Sequence, residues 1–96
     1  MNILFICGAL EPGKDGVGDY TRRLAGAVQS LGHRSSIIAL YDHYVSEETI
    51  AAQPAENNTI QVLRISSNTG DVNRFRRAKE WADAFAPLWI SLQFVP

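Results

Sequence analysis

The sequence predicts an α/β domain built on a doubly wound, parallel sheet. Three observations carry that prediction. Short apolar runs alternate along the chain with segments of helical period, which implies right-handed crossovers between parallel strands. A glycine-rich stretch separates the first apolar run from the first helical segment. The composition, 46% hydrophobic and 20% charged, is that of a globular chain long enough for one small domain.

The elements follow in order. Asn2–Cys7, "NILFIC", is a short apolar run closed by Gly8, as expected of a strand buried on both faces. Asp19 to Leu31 reads as a helix, with Val17, Tyr20, Leu24, Val28 and Leu31 as its apolar stripe and Arg22, Arg23 and Gln29 off it. Gly32 stands where a left-handed C-cap belongs. Ser35 to Tyr41 reads as a second strand. Ser46 could cap a short helix, with Glu47 and Glu48 in its first turn and Pro54 near its end. Thr59 to Ile65 is the third strand. Gly70 to Ala86 is a second long helix, with Val72, Phe75, Ala78, Ala82 and Phe85 facing inward and Pro87 after it. Leu88 to Val95 is the fourth strand. The expected order is thus β-α-β-(short α)-β-α-β.

The net charge of −1 gives no basic footprint for nucleic acid. No apolar run approaches the roughly 20 residues of a membrane span. The start, Met1-Asn2-Ile3, has no basic segment of a secretory leader, and Cys7 is the single cysteine. Together these point to the cytoplasm. Sheets of this class usually carry more strands, so residues 1–96 are expected to be the front part of a larger protein.

Between Gly8 and Gly18 stand four glycines and Pro12. In a doubly wound sheet, ligands bind beyond the carboxyl ends of the strands, where this loop falls. Glycines let a ligand approach the backbone, and the next helix offers free N–H groups and its positive end to an anion. Gly16 and Gly18 are the candidates for close approach. Asp19, in the first turn, would favour the helix dipole and partly repel an anion. The dinucleotide fingerprint G-x-G-x-x-G is not met, because Thr21 stands where its third glycine belongs; Asp42 is a lone candidate for a ribose contact. Gly13-Lys14-Asp15 is not a P-loop.

Residues 1–40, "MNILFICGALEPGKDGVGDYTRRLAGAVQSLGHRSSIIAL", resemble the start of the family-4 (group 1) glycosyltransferases, which have the GT-B fold. Asp15-Gly16-Val17-Gly18 stands where the family has G-G-V-G, with Asp15 in place of the first glycine, and Leu31-Gly32-His33-Arg34-Ser35 where its helix ends L-x-x-x-G-H-x-V, with Ser35 in place of the valine. Trp89 to Pro96, "WISLQFVP", is similar to the family's D-x-V-x-x-Q strand.

The resemblance implies a Rossmann-like, acceptor-side N-terminal domain. The whole enzyme would move a sugar from a UDP-, GDP- or ADP-sugar donor to an acceptor this sequence does not name. It implies that backbone amides of Gly16, Val17 and Gly18 stabilise charge on the leaving diphosphate, with Asp19 and Tyr20 toward the acceptor. Gln93 and Phe94 would lie on the acceptor side of the same crevice. It implies no bound metal or other cofactor. No catalytic residue is assigned, and residues 1–96 alone would not catalyse transfer. The donor half's Glu-x7-Glu spacing recurs at Glu48 and Glu56, in the wrong half and around Pro54, and is a coincidence.

Two rival classes remain: a non-catalytic Rossmann-like anion- or nucleotide-binding module, and an NAD-dependent oxidoreductase. Other residues take plainer readings. His33 is a turn residue, His43 a loop residue, Cys7 a small buried side chain, and Trp81 and Trp89 belong to a core or interface. Arg74, Arg76, Arg77 and Lys79 make the second helix basic, either as a solvated face or as a peripheral contact with anionic lipid. As a fragment lacking the sheet's late strands, with an edge and one face exposed, the 96 residues are expected to self-associate or to be only marginally stable.

Overall fold

The structure, a computed structural model, describes residues 1–94. Seven elements form a five-stranded sheet with one helix on each face: β1 (Asn2–Cys7), α1 (Gly16–Ser30), β2 (Arg34–Asp42), β3 (Thr49–Ala55), β4 (Asn58–Ser66), α2 (Asp71–Phe85) and β5 (Trp89–Gln93). The strand order is β3-β4-β2-β1-β5. The pairs β1·β2, β1·β5 and β2·β4 are parallel, while β3·β4 is antiparallel. The sheet is therefore mixed, mostly parallel, and not the all-parallel sheet expected.

The difference lies in residues 46–54. The short helix expected there is the strand β3, joined to β4 by the two residues Glu56 and Asn57. Glu56 takes a left-handed φ of 56° to make that turn. Helix-start chemistry at Ser46-Glu47-Glu48 is overridden by seven paired positions against β4. Pro54, read as a helix stop, sits on an outer strand, where a residue without an N–H is tolerated. Val95, given to the last strand from sequence, lies outside the described residues.

The strands wind outward in two directions from β1. β2 lies on one side of β1, with β4 and β3 beyond it, while β5 lies on the other side, reached from β4 through α2. The direction of winding thus reverses between β1 and β5. On one face, Phe5, Cys7, Ile37, Ala39, Ile60 and Val62 pack with Leu10, Ala25 and Ala55 beneath α1. On the other, Leu4, Ile38, Leu63 and Ile65 pack beneath Ala78, Trp81, Ala82 and Phe85 of α2.

Both helices sit differently on the sheet than their apolar stripes foretell. In α1 the buried residues are Gly18, Thr21, Arg22, Ala25 and Gly26. Val17, Leu24 and Val28 flank them half-buried, whereas Tyr20 and Leu31 are exposed. In α2, Arg74 is buried, and Val72 and Phe75 are exposed. Gly32 has the left-handed φ, 96°, expected after α1.

Candidate functional site

The loop between β1 and α1 is held by buried charge. Leu10 is fully buried; its N–H donates to Asp42 Oδ2 at 3.0 Å, and its carbonyl accepts from Arg22 Nη2 at 2.8 Å and Gln53 Nε2 at 3.3 Å. Asp42 also accepts from Tyr44 N–H and, at 2.7 Å, from Arg64 Nε; Arg64 Nη2 reaches on to Glu11 at 2.7 Å. A register shift in β2 between Ala39 and Asp42 places an extra residue there, which brings Asp42 onto the α1 face beside Arg64. A loop that looks flexible from its glycines is thus pinned at Leu10 from two strands and a helix, and at Glu11 from a third strand.

These charges are satisfied. Burial alone would raise the Asp42 carboxyl. The hydrogen bonds from Arg64 and from the amides of Leu10 and Tyr44 outweigh it and hold the carboxyl below its ordinary value. Burial works to lower Arg64, and its bonds to Asp42 and Glu11 raise it beyond the usual arginine value. Cys7, beneath the loop, is pushed up to about 12 by burial, then by the charges of Asp15 and Asp42. It is an inert thiol, as its position in an apolar strand suggested.

The start of α1 carries the candidate site. Asp15 is the N-cap, and its Oδ1 accepts from Gly18 N–H at 2.7 Å. The first turn of a helix leaves its N–H groups unmatched. With Gly18 taken by the cap, the amides of Gly16 and Val17 are those with no acceptor among the described residues. Gly18 makes a close backbone approach, but to the protein itself: a Cβ there would overlap the carbonyl oxygen of Ala9. Asp19 turns back to accept from Gly13 N–H at 3.1 Å and Arg22 Nη1 at 2.9 Å. The Arg22 bond, followed by the Gly13 amide, holds it below the ordinary carboxylate value.

A crevice of about 290 Å³ opens beside this turn, lined by Gly16, Val17, Tyr20, Leu92, Gln93 and Phe94. Five of the seven site residues singled out from sequence meet there. Gly18 and Asp19 do not line it. The crevice sits beyond the carboxyl ends of β1 and β5, where the winding reverses. That is where ligands of open α/β sheets bind. A larger cavity of about 550 Å³ lies at the opposite end of the strands, around Arg34, Ser36, Trp81 and Phe85. Its indole and the Ser35 and Ser36 hydroxyls are bonded within the protein, Trp81 Nε1 to Ser36 Oγ at 2.9 Å, Ser36 Oγ to the Gln61 carbonyl and Ser35 Oγ to the Ala25 carbonyl.

The other candidates take structural roles. Asp42 has all its bonds within the protein and offers no free carboxylate for a ribose. The basic residues of α2 are matched. Arg76 pairs with Glu80, Arg77 with Glu48 and Lys79 with Asp83, while Arg74 is buried against the carbonyls of Leu40, Ser66 and Ser67. Among the described residues no group of three His, Cys, Asp or Glu is placed to hold a metal. No described helix is long and apolar enough to cross a membrane.

Sequence reasoning missed Arg22, Gln53 and Arg64 as the residues that fix the loop. The one local signal is Arg64, a charge inside the apolar run "TIQVLRI"; arginine is rarely buried without a partner. No family model, curated protein or solved structure matches the chain.

Proposed function

We propose that the crevice beyond β1 and β5 binds the diphosphate of a nucleotide sugar. In this reading the chain is the acceptor-side, Rossmann-like part of a cytoplasmic GT-B glycosyltransferase. One observation carries it: the two unmatched amides of Gly16 and Val17 meet the end of β5 at the point where the sheet reverses its winding. Such amides, fixed before the ligand arrives, stabilise charge growing on a departing phosphate without reorganising. The buried Asp42–Arg64–Glu11 and Arg22–Gln53 contacts supply that fixity. Tyr20, Gln93 and Phe94 form the wall toward an acceptor.

A second reading has its own support. Among the described residues Tyr20 is the one titratable side chain lining the crevice, with no His, Asp, Glu or Lys beside it. On these residues alone the crevice binds and orients, as a non-catalytic anion- or nucleotide-binding module would. The dehydrogenase reading is the weakest, since Asp42 is spent on Arg64 and the loop.

Amide-resolved NMR titration with UDP, GDP, ADP and NAD tests the proposal. Nucleoside diphosphates are expected to move the Gly16 and Val17 amides and to leave the capped Gly18 amide nearly still. Asp15→Ser keeps a capping side chain and removes a like charge from the helix end, so it should tighten binding several-fold. Unmoved Gly16 and Val17 amides at millimolar diphosphate would end the phosphate reading. Binding with no transfer from the matching nucleotide sugars by the full natural chain would favour the module.

A further inference from the structure

The larger cavity, at the amino ends of the strands, has its origin in two strand sequences. Side chains two positions apart share a face of a sheet. On the face that α2 covers, β2 presents Arg34, Ser36, Ile38 and Leu40, and β4 presents Thr59, Gln61, Leu63 and Ile65. Both strands change from polar to apolar at the same level, since Ser36 pairs with Gln61 and Ile38 with Leu63. The apolar half carries the core beneath α2. The polar half meets the aromatic side chains Trp81 and Phe85 and does not fill the space beneath them; about 550 Å³ stays open there. Ligand cavities commonly span roughly 300–1,000 Å³ and combine apolar walls with a few fixed polar groups.

The polar groups of this cavity differ in what they have left to give. Trp81 Nε1–H and the Ser36 hydroxyl are spent inside the protein, so the indole offers a ligand its ring alone. Arg34 is not spent. Among the described residues every Lys and Arg except Lys14, Arg23 and Arg34 pairs with a carboxylate, and of these three Arg34 alone lines the cavity. Its guanidinium lies over the Phe85 ring, 5.3 Å from the centroid, a contact that orients it while leaving its N–H groups free. The end of α2 does not claim it, because the Phe85 carbonyl accepts from Asn2 Nδ2 and the Ala82 carbonyl from the Ala86 amide. The side-chain amide of Gln61 is likewise unbonded among the described residues.

We propose that this cavity binds a flat monoanion, an aromatic carboxylate, whose ring packs against Trp81 and whose carboxylate takes the fork of Arg34. The charge selects the class. One unmatched guanidinium balances one negative charge, and its planar fork matches a carboxylate in two parallel bonds. A phosphate monoester brings about two charges to that one cation. A neutral ring leaves Arg34 without an anion. An aromatic wall favours a flat ring packed offset or edge-on against it, and Gln61 adds a donor on the β4 side. The walls come from α1, β2, β4 and α2. β5 stands two strands away, and its carboxyl end, beside which the described residues stop, is at the other end of the sheet. The inference therefore rests neither on the proposed phosphate crevice nor on what adjoins β5.

Titration with 2-naphthoate, followed by amide- and indole-resolved NMR, tests it. The two tryptophans give two indole N–H signals, assigned through Trp89→Phe. Trp81 and the amides of Ser36 and Gln61 are expected to shift together and saturate. Trp89, on the exposed apolar strand β5, and the Gly16 and Val17 amides should stay still. The neutral analogue 2-naphthalenemethanol should bind the wild type about ten-fold more weakly, and 2-naphthoate should bind Arg34→Gln more weakly by the same factor, the usual scale of a charge-assisted hydrogen bond. Arg34 is exposed, so its replacement should leave the far-UV circular dichroism spectrum unchanged. Ala84→Phe, at an exposed position on the cavity wall, should fill the space and abolish the shifts with the fold intact. The full natural chain should respond as the 96 residues do. Absence of a saturable Trp81 shift at millimolar 2-naphthoate, equal binding of the neutral analogue, equal binding by Arg34→Gln, tighter binding of AMP at the same signals, shifts at Trp89 in place of Trp81, or no response in the full natural chain would each overturn the proposal.

Discussion

Two glycines two positions apart do different work at the start of α1. Gly18 is buried against the Ala9 carbonyl, and its N–H is taken by Asp15. Gly16 is exposed, with open space where its Cβ would be. Gly18→Ala forces the loop away from the helix and should cost about 1–3 kcal/mol, the usual range for overpacking. Gly16→Ala should leave stability nearly unchanged and weaken diphosphate binding by crowding the crevice. Urea unfolding and ligand titration of both variants check the pair; equal losses of stability would mean that the loop does not meet the helix at Gly18. The sequence pointed to both glycines as sites of close approach. It could not say whether the approaching atom belongs to a ligand or to the chain, because that depends on where Ala9 falls after folding.

At the scale of elements, β1, α1, β2, β4, α2 and β5 were legible because each is long and periodic enough to announce itself. β3 was not. Ser46-Glu47-Glu48 carries the chemistry of a helix start, and Pro54 that of a helix stop. What decides the segment is pairing with β4, a partner beyond the window that local chemistry surveys. The turn between them lacks the glycine that advertises a tight hairpin. Glu56 takes φ 56° instead, a conformation costly for a residue with a Cβ. Glu56→Gly should therefore raise stability by about 0.5–1 kcal/mol, measured as a higher urea midpoint. A lower midpoint would show that the Glu56 side chain contributes more than its backbone strain removes. The buried arginines escaped for a similar reason: on a helical wheel Arg22 looks like any solvated residue, and only the arrival of Gln53 from β3 makes it internal.

For the whole molecule, the buried ion pair couples stability to acid. Asp42 has a folded value below its unfolded value of about 3.9. Its contribution is complete above that unfolded value and is lost as pH falls through the folded one. Asp42→Asn leaves Arg64 with Glu11 as its remaining carboxylate and should cost about 2–3 kcal/mol at neutral pH, below the full cost of an uncompensated buried charge. That is a large share of what a domain of this size has. The wild-type and variant melting temperatures should converge as the solution is acidified below pH 4, and parallel curves would contradict the assignment.

The sheet's connectivity also sets an order of assembly. β3 and β4 are joined by two residues and can zip together locally, on the scale of about 1–10 μs for a hairpin. β1 and β5 are the reverse: Ile3 must find Trp89, with nearly the whole chain looped out between them. Loop closure of that span is entropically the slowest to be rewarded. The hairpin is thus the natural template, β2 and β1 add to its open side, and β5 docks last. On the ribosome β5 also emerges after the other four described strands, so synthesis and closure agree on which of the five comes last. The growing chain can complete four strands before the exposed apolar one appears.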